Sequence, residues 1–364
     1  MEFEQIHPKE GWCEHDPMVI LNTVSTCIEE TMKKVEGRFT AADVAAIGIT
    51  NQRETTVVWD KNTGLPLHNA IVWLDLRTAE TVAKYATEAE GGQDRFRDVC
   101  GLPLSTYFSG MKLRWLLDNV PAVSEGAAAG TALFGTIESW LIWNLSGGVE
   151  GGVHVSDVSN ASRTMLMDLA SCSWHAETCE TLGIPLAMLP RIVSNSEVYA
   201  PLSSGVLAGR PIAGALGDQQ AATLGQACFE AGQAKNTYGT GCFMLMTTGQ
   251  GTPTHSKNGL LSTVGFQLGP DAPVTYCLEG SVAIAGAGVQ WLRDKLQIIE
   301  SAPAIGGDGN GLIDGIDGTH GVYFVPAFTG LFAPHWRDDA RGAQTLNPAP
   351  PGTPSPLAKR IAAG

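Results

Sequence analysis

Pro211-Ile212-Ala213-Gly214-Ala215-Leu216-Gly217-Asp218-Gln219-Gln220 is the stretch that decides the fold class. An apolar strand over Pro211 to Leu216 runs straight into a glycine, a carboxylate and a small-residue helix over Ala221 to Ala227. That order sets Asp218 at the C-terminal edge of a strand, the edge where open α/β sheets gather their ligands. Asp218 is therefore either a functional carboxylate or the cap of a helix that starts at Gln219.

Strands and helices continue to mix on either side. Asp16-Pro17 reads as an N-cap with proline at the first helical position, and Val19, Ile20, Val24, Cys27, Ile28, Met32 and Val35 recur at helical spacing until Gly37. Val44 to Thr50 reads as a strand buried on both faces, and Thr55 to Asp60 as a second strand. Asn62-Thr63-Gly64 turns the chain before Asn69 to Leu74, and Thr78 to Glu90 follows as a helix. Gly110 to Asn119 is amphipathic helix, Leu133 to Leu145 another apolar element, and Gly147 to Gly152 a surface connector. Ala234 to Gly239 and Cys242 to Thr248 form a hairpin, Ser281 to Leu296 a helix and Gly321 to Pro326 a strand. Hairpins interrupt the βα alternation, so the expected class is α/β with sheets that are not purely parallel.

Composition narrows the functional classes. Of 364 residues, 44% are hydrophobic and 16% charged, a globular balance with room for two domains. Nothing approaches the eighteen or so uninterrupted apolar residues of a membrane span, and Met1-Glu2-Phe3-Glu4-Gln5 lacks a secretory start. A cytoplasmic protein is expected. The formal charge of −14 argues against unspecific nucleic-acid or anionic-membrane partners. A bound nucleotide would need backbone amides and a metal ion for neutralisation. The eight cysteines form no C-x-x-C pair and read as reduced thiols; the eight histidines have no zinc-hydrolase spacing.

Several residues could carry chemistry. The turn Tyr238-Gly239-Thr240-Gly241 suits backbone N–H groups approaching a phosphate, and equally suits a tight hairpin. Arg53-Glu54, just past a strand end, is either a solvated pair or a donor and acceptor for vicinal hydroxyls. Trp73 and Tyr107 are core aromatics or ligand platforms. Neither a G-x-x-x-x-G-K-[ST] loop nor a Rossmann G-x-G-x-x-G is present.

Taken together, these strings resemble the glycerol-kinase branch of the FGGY carbohydrate kinase family. The resemblance runs through Gly48-Ile49-Thr50-Asn51-Gln52-Arg53-Glu54-Thr55-Thr56, and Ala70-Ile71-Val72-Trp73 with Asp75, Arg77 and Thr78. It continues through Tyr107-Phe108-Ser109-Gly110 with Lys112 and Trp115, Ser159 to Met165, and Gly217 to Ala221. Asn236 to Met244, Gly286, Gln290 to Arg293 and Val325 to Leu331 carry it to about Gly342. What this implies is an actin-like, ribonuclease-H-like two-domain ATPase fold whose domains close on substrate. By motif, Arg53, Glu54, Trp73, Tyr107, Asp218, Gln219 and Phe243 would contact glycerol, Trp73 and Phe243 covering its carbon edge. Thr240, Gly241, Gly286 and Gln290 would contact ATP. Asp218 would be the general base, with Mg2+ bridging phosphate oxygens and Asp218 as its candidate protein ligand.

The domains are expected at residues 1–226, 227–342 and a disordered, proline-rich tail at 343–364. The family pattern is entered at Phe3-Glu4-Gln5, after the position of its first phosphate loop, and stops before its adenosine-binding segment. The expectation is therefore a chain short at both ends, with an incomplete second domain and a tendency to homo-oligomerise. Phe332 stands where the resemblance calls for a glycine. The rival readings are a pentulose kinase of the same family and a polyol-binding protein without turnover.

Overall fold

The computed structural model describes residues 1–88, 90–306, 311–315, 318–319 and 322–346. The chain forms two compact units, one of residues 1–235 and 245–279, the other of 236–244 and 280–364.

In the first unit the helix Pro17–Lys34 starts where its cap residues place it. The Asp16 carboxylate accepts from the N–H groups of Met18 (2.7 Å) and Val19 (3.4 Å), and Pro17 occupies the first turn. Ile20 packs into an aromatic core with Trp59, Trp140 and Trp143. The indoles of Trp59 and Trp140 meet edge to face at 5.4 Å. Leu133 to Leu145, one apolar run in the sequence, divides into the strand Ala132–Gly135 and the helix Ile137–Leu145. The strand pairs antiparallel with Val57–Asp60.

The site is set by the sheet of Ala200–Pro201, Pro211–Gly217 and Ile47–Asn51, in that order. Pro211–Gly217 runs parallel to Ile47–Asn51, in a register that pairs Leu216 with Thr50 and Gly217 with Asn51. Both strands thus end side by side. Ile47–Asn51 is shorter than the expected Val44 to Thr50, and it is not buried on both faces: Gly48 and Thr50 are exposed. Lying at the end of the sheet, it follows the half-buried alternation of an edge strand rather than the apolar run of a central one.

Beneath these strand ends lies a buried polar network. Glu138 Oε1 accepts from the hydroxyls of Thr136 (2.7 Å), Ser156 (2.7 Å) and Ser139 (3.1 Å), and Asn51 Nδ2 donates to Oε2 (3.1 Å). Asp157 accepts from the amides of Asn160 (2.6 Å) and Asn195 (2.8 Å) and from the Ser159 hydroxyl. Ser159 Oγ in turn accepts from the Gly217 N–H at 3.0 Å. The network therefore grips the backbone immediately before Asp218.

The strands Ala234–Tyr238, Cys242–Gln250, Thr275–Val282 and Leu261–Phe266 form a second sheet in that order. Ser281 and Val282 complete a strand here, so the expected helix from Ser281 begins only at Gly286 and runs to Asp294. In the second unit, Leu292, Ile299 and Val322 make a small core, with Trp291 stacked on Phe324 at 5.6 Å. Val322–Val325 pairs antiparallel with Ala343–Leu346. Residues 343–346 are therefore strand, because they complete a ladder; the remainder of the expected tail, and Gly321, lie outside the described residues. All eight cysteines are free, and five of them are buried.

Burial, with Asp157 alongside, pushes the Glu138 carboxyl up to about 7. The folded protein then holds a proton that the unfolded chain releases near the ordinary value of 4.5, so stability from this group is lost as pH rises from there through about 7. Glu138→Gln should accordingly gain on the parent in melting temperature between about pH 5 and about pH 8, at about 1.4 kcal/mol per pKa unit. Parallel pH–Tm curves for the two proteins would contradict this.

Candidate active site

The paired strand ends deliver two side chains to one place. Arg53 follows Asn51 by two residues and Asp218 follows Gly217 by one, and Arg53 Nε lies 3.6 Å from Asp218 Oδ1. A β-carbon at residue 217 would come within 2.6 Å of Arg53 Cγ, so glycine is what lets the arginine cross the strand. Gly217 itself caps the helix Asp218–Gly225, so Asp218 is not the cap. The carboxylate is the first helical residue rather than the cap, suits the positive end of the helix, and is 46% exposed.

Behind Asp218 the charges are buried and closed into a ring. Arg53 donates from Nη1 to Glu279 Oε2 (2.5 Å) and from Nη2 to Oε1 (3.0 Å). Arg163 donates from Nη2 to Glu279 Oε1 (3.1 Å) and from Nε to Glu54 Oε1 (2.6 Å). Glu54 returns to Arg53 Nε at 3.8 Å. All four side chains are at most 2% exposed. Burial opposes the charge on Arg53, but Glu279, Tyr107 and Glu54 overcome it and hold the guanidinium far above its ordinary range. Burial raises the Glu54 carboxyl despite its two arginines. Glu54 also adopts φ +59°, a left-handed backbone that costs of order 1–3 kcal/mol in a non-glycine residue.

Aromatic groups wall the ring. Arg53 Nη2 donates to the Tyr107 hydroxyl at 3.2 Å, and Arg163 lies over the rings of Tyr107 and Phe108 at 5.5 and 5.4 Å. Burial raises the Tyr107 phenol, so it stays protonated. Trp73 meets Tyr107 edge to face at 5.8 Å. Lys112, fully buried, donates to the carbonyls of Thr106 (2.9 Å) and Tyr107 and so fixes the tyrosine's backbone. Arg77 holds the Trp73 loop through Asp75 (2.8 Å) and Glu14 (2.8 Å). Gln219 donates from Nε2 to Asp218 Oδ2 at 3.0 Å.

Of the residues singled out from sequence, Arg53, Glu54, Trp73, Tyr107, Asp218 and Gln219 thus meet in the first unit. Thr240, Gly241, Gly286, Gln290 and Phe243 belong to the second. There the Gly239 carbonyl accepts from the Gly286 N–H (2.9 Å), and the Thr240 carbonyl accepts from Ala285 (2.8 Å) and Ala287 (3.1 Å). A trans peptide opposes its N–H to its C=O, so the N–H groups of Thr240 and Gly241 point away from the helix start. A β-carbon on Gly286 would sit 2.5 Å from the Gly239 oxygen, so glycine permits this approach. Gln290 is exposed one turn along the same helix, and Phe243 is buried. Phe332, in place of the expected glycine, is buried and stacks on Trp336 at 5.7 Å.

Sequence reasoning did not single out Glu279, Arg163 or Lys235 as site residues. Arg163 lay within a recognised motif, whereas Glu279 is 226 residues from Arg53 and its strand position gives no local signal. Removing one partner from a buried charge cluster leaves buried charge uncompensated, at about 3–5 kcal/mol. Glu279→Gln should therefore cost roughly that much in denaturant unfolding, while the half-exposed Asp218→Asn changes stability by about 0.5 kcal/mol or less. Similar losses in both variants would show that the ring is not the structural centre of the site.

Residues 1–225 match the N-terminal domain, and 234–362 the C-terminal domain, of the FGGY family of carbohydrate kinases. The chain is 56% identical over 345 residues to a glycerol kinase of Arabidopsis thaliana, covering 94% of this chain and 65% of that protein. It is also 56% identical to a glycerol kinase of Renibacterium salmoninarum, covering 94% of this chain and 66% of the relative. It thus spans just under two thirds of the length of these relatives. The crystal structure of Plasmodium falciparum glycerol kinase with ADP superposes with a TM-score of 0.84 at 38% identity, covering all of this chain and 69% of that one. A xylulose kinase from Lactobacillus acidophilus shares the fold at a TM-score of 0.75 and 21% identity. Among the described residues no helix is long and apolar enough to cross a membrane. The fold is the actin-like α/β fold of these kinases, and the chain belongs to the FGGY family of carbohydrate kinases.

Proposed function

We infer that the protein phosphorylates glycerol with ATP, giving sn-glycerol 3-phosphate and ADP. The observation that carries this reading is the half-exposed Asp218 carboxylate at the strand edge, held between Arg53 Nε and Gln219 Nε2. Its names come from relatives 54–56% identical over 94% of the chain.

The chemistry follows from the groups present. Arg53 and Glu54 supply a fixed donor and acceptor for vicinal hydroxyls, Gln219 adds both kinds, and Trp73 offers an apolar face to carbon. The ring of two arginines and two glutamates is neutral as a set, which suits an uncharged polyol. Asp218 takes the proton of the attacking hydroxyl as its oxygen bonds to the γ-phosphorus and the bond to the ADP oxygen breaks. Thr240 and Gly241 offer outward N–H groups to phosphate, and the family motif assigns Gly286 and Gln290 to the nucleotide as well. The exposed Asp218 carboxylate fits Mg2+, which binds through one or two carboxylates plus phosphates and would offset phosphate charge.

Asp218→Asn should lower kcat by about 10²–10⁴, with glycerol affinity much less affected. A variant with near-normal turnover removes Asp218 from the role of base. Because buried polar groups reject substrates that leave them unpaired, glycerol should exceed 1,2-propanediol and the pentuloses in kcat/KM, by up to about 10⁴–10⁵. A pentulose heading that panel would assign the site to a sugar kinase instead.

A further inference from the structure

Another buried cation lies at the site and none of the steps above uses it. Lys235 occupies the buried position near the start of the strand Ala234–Tyr238 and is 3% exposed. Its Nζ donates to Gln219 Oε1, and Gln219 Nε2 donates to Asp218 Oδ2 at 3.0 Å. Three groups thus form a line that ends on the exposed carboxylate.

An amide can turn end for end, presenting either oxygen or NH2 to a neighbour. An ammonium has three donors and no acceptor, so it admits only the carbonyl end. With Gln219 Oε1 held by Lys235, its NH2 must face Asp218. The opposite orientation would bring an amide oxygen against the carboxylate and leave the ammonium facing a donor. Burial draws Lys235 down to about 8, partly offset by Glu279 and Asp218, so it remains cationic at neutral pH. We propose that Lys235 is a positioning residue that fixes the Gln219 amide and, through it, the rotamer of the Asp218 carboxylate. Arg53 bounds Oδ1 and Gln219 bounds Oδ2, and the carboxylate then presents one edge to an incoming hydroxyl.

The kinetic consequence rests on Asp218 being the general base of a polyol kinase; the orientation of Gln219 does not. The experiment therefore has two arms, both using Lys235→Met, which keeps the stem and removes the donors. In crystals of the variant, Gln219 should turn or withdraw beyond hydrogen-bond distance of Asp218; an unmoved Gln219 overturns the inference whatever the substrate. In turnover of glycerol, the loss should fall mainly on kcat, roughly 10–100-fold, as part of the 10²–10⁴ a general base supplies. The double variant Lys235→Met/Gln219→Leu should be no slower than Gln219→Leu alone, because one residue acts through the other. Multiplying losses would overturn the inference, since Lys235 would then act independently of Gln219. A parent protein that phosphorylates no polyol refutes the functional reading, and the crystallographic arm still decides this one.

Discussion

Everything at the strand edge depends on the closed ring of Arg53, Glu279, Arg163 and Glu54. Two arginines and two carboxylates are withdrawn from water together and pair with one another. Such a cluster does little for stability compared with an apolar core of the same volume. Its value lies in fixing geometry: Glu279 accepts from both guanidiniums, so a swing by Arg53 would take the Nη1 donor from Glu279 Oε2 in a buried site. The left-handed backbone of Glu54 persists because its carboxylate is held by Arg163 and its carbonyl accepts from the hydroxyls of Ser109 and Thr56.

The ring acts on Asp218 through the parallel register of two strands. Pairing Asn51 with Gly217 sets the two chain exits side by side, and the missing side chain at Gly217 lets Arg53 cross between them. A slip of one residue would turn every side chain of the strand to the opposite face, so the register must be strongly specified. The hydrogen bond from the Gly217 N–H to Ser159, which also bonds Asp157, pins it from below. The polar network under the sheet is thus part of the apparatus that aims the carboxylate.

Local patterns made much of this legible. The strand into Gly217-Asp218, the Asp16-Pro17 start and the hairpin around Thr240 all rest on short-range chemistry, and short-range chemistry is what a sequence displays. The family motifs implied a common role for Arg53, Glu54, Tyr107 and Asp218, and the structure brings these four side chains together. Glu279 and Lys235 were not legible, because what matters about them is pairing across long separations. A glutamate or lysine on a strand reads as solvated until its partners are known, and 226 residues separate Arg53 from Glu279. The helix expected from Ser281 fails for a related reason: ladder partners keep Ser281 and Val282 extended, and carbonyls of the Gly239–Gly241 turn set the start at Gly286.

The two proposed substrates would make different electrostatic demands. In the proposed reaction a neutral polyol would need direction rather than charge, and the ring offers fixed donors and acceptors whose charges cancel. A nucleotide brings several negative charges to a chain whose formal charge is already −14. In the proposed reaction the second unit meets it with peptide N–H groups, oriented because their own carbonyls are tied to the helix at Gly286. Peptide dipoles held this way need little reorganisation when charge develops, which is what phosphoryl transfer requires. A β-carbon at residue 286 would sit 2.5 Å from the Gly239 oxygen and break the tie that orients the turn.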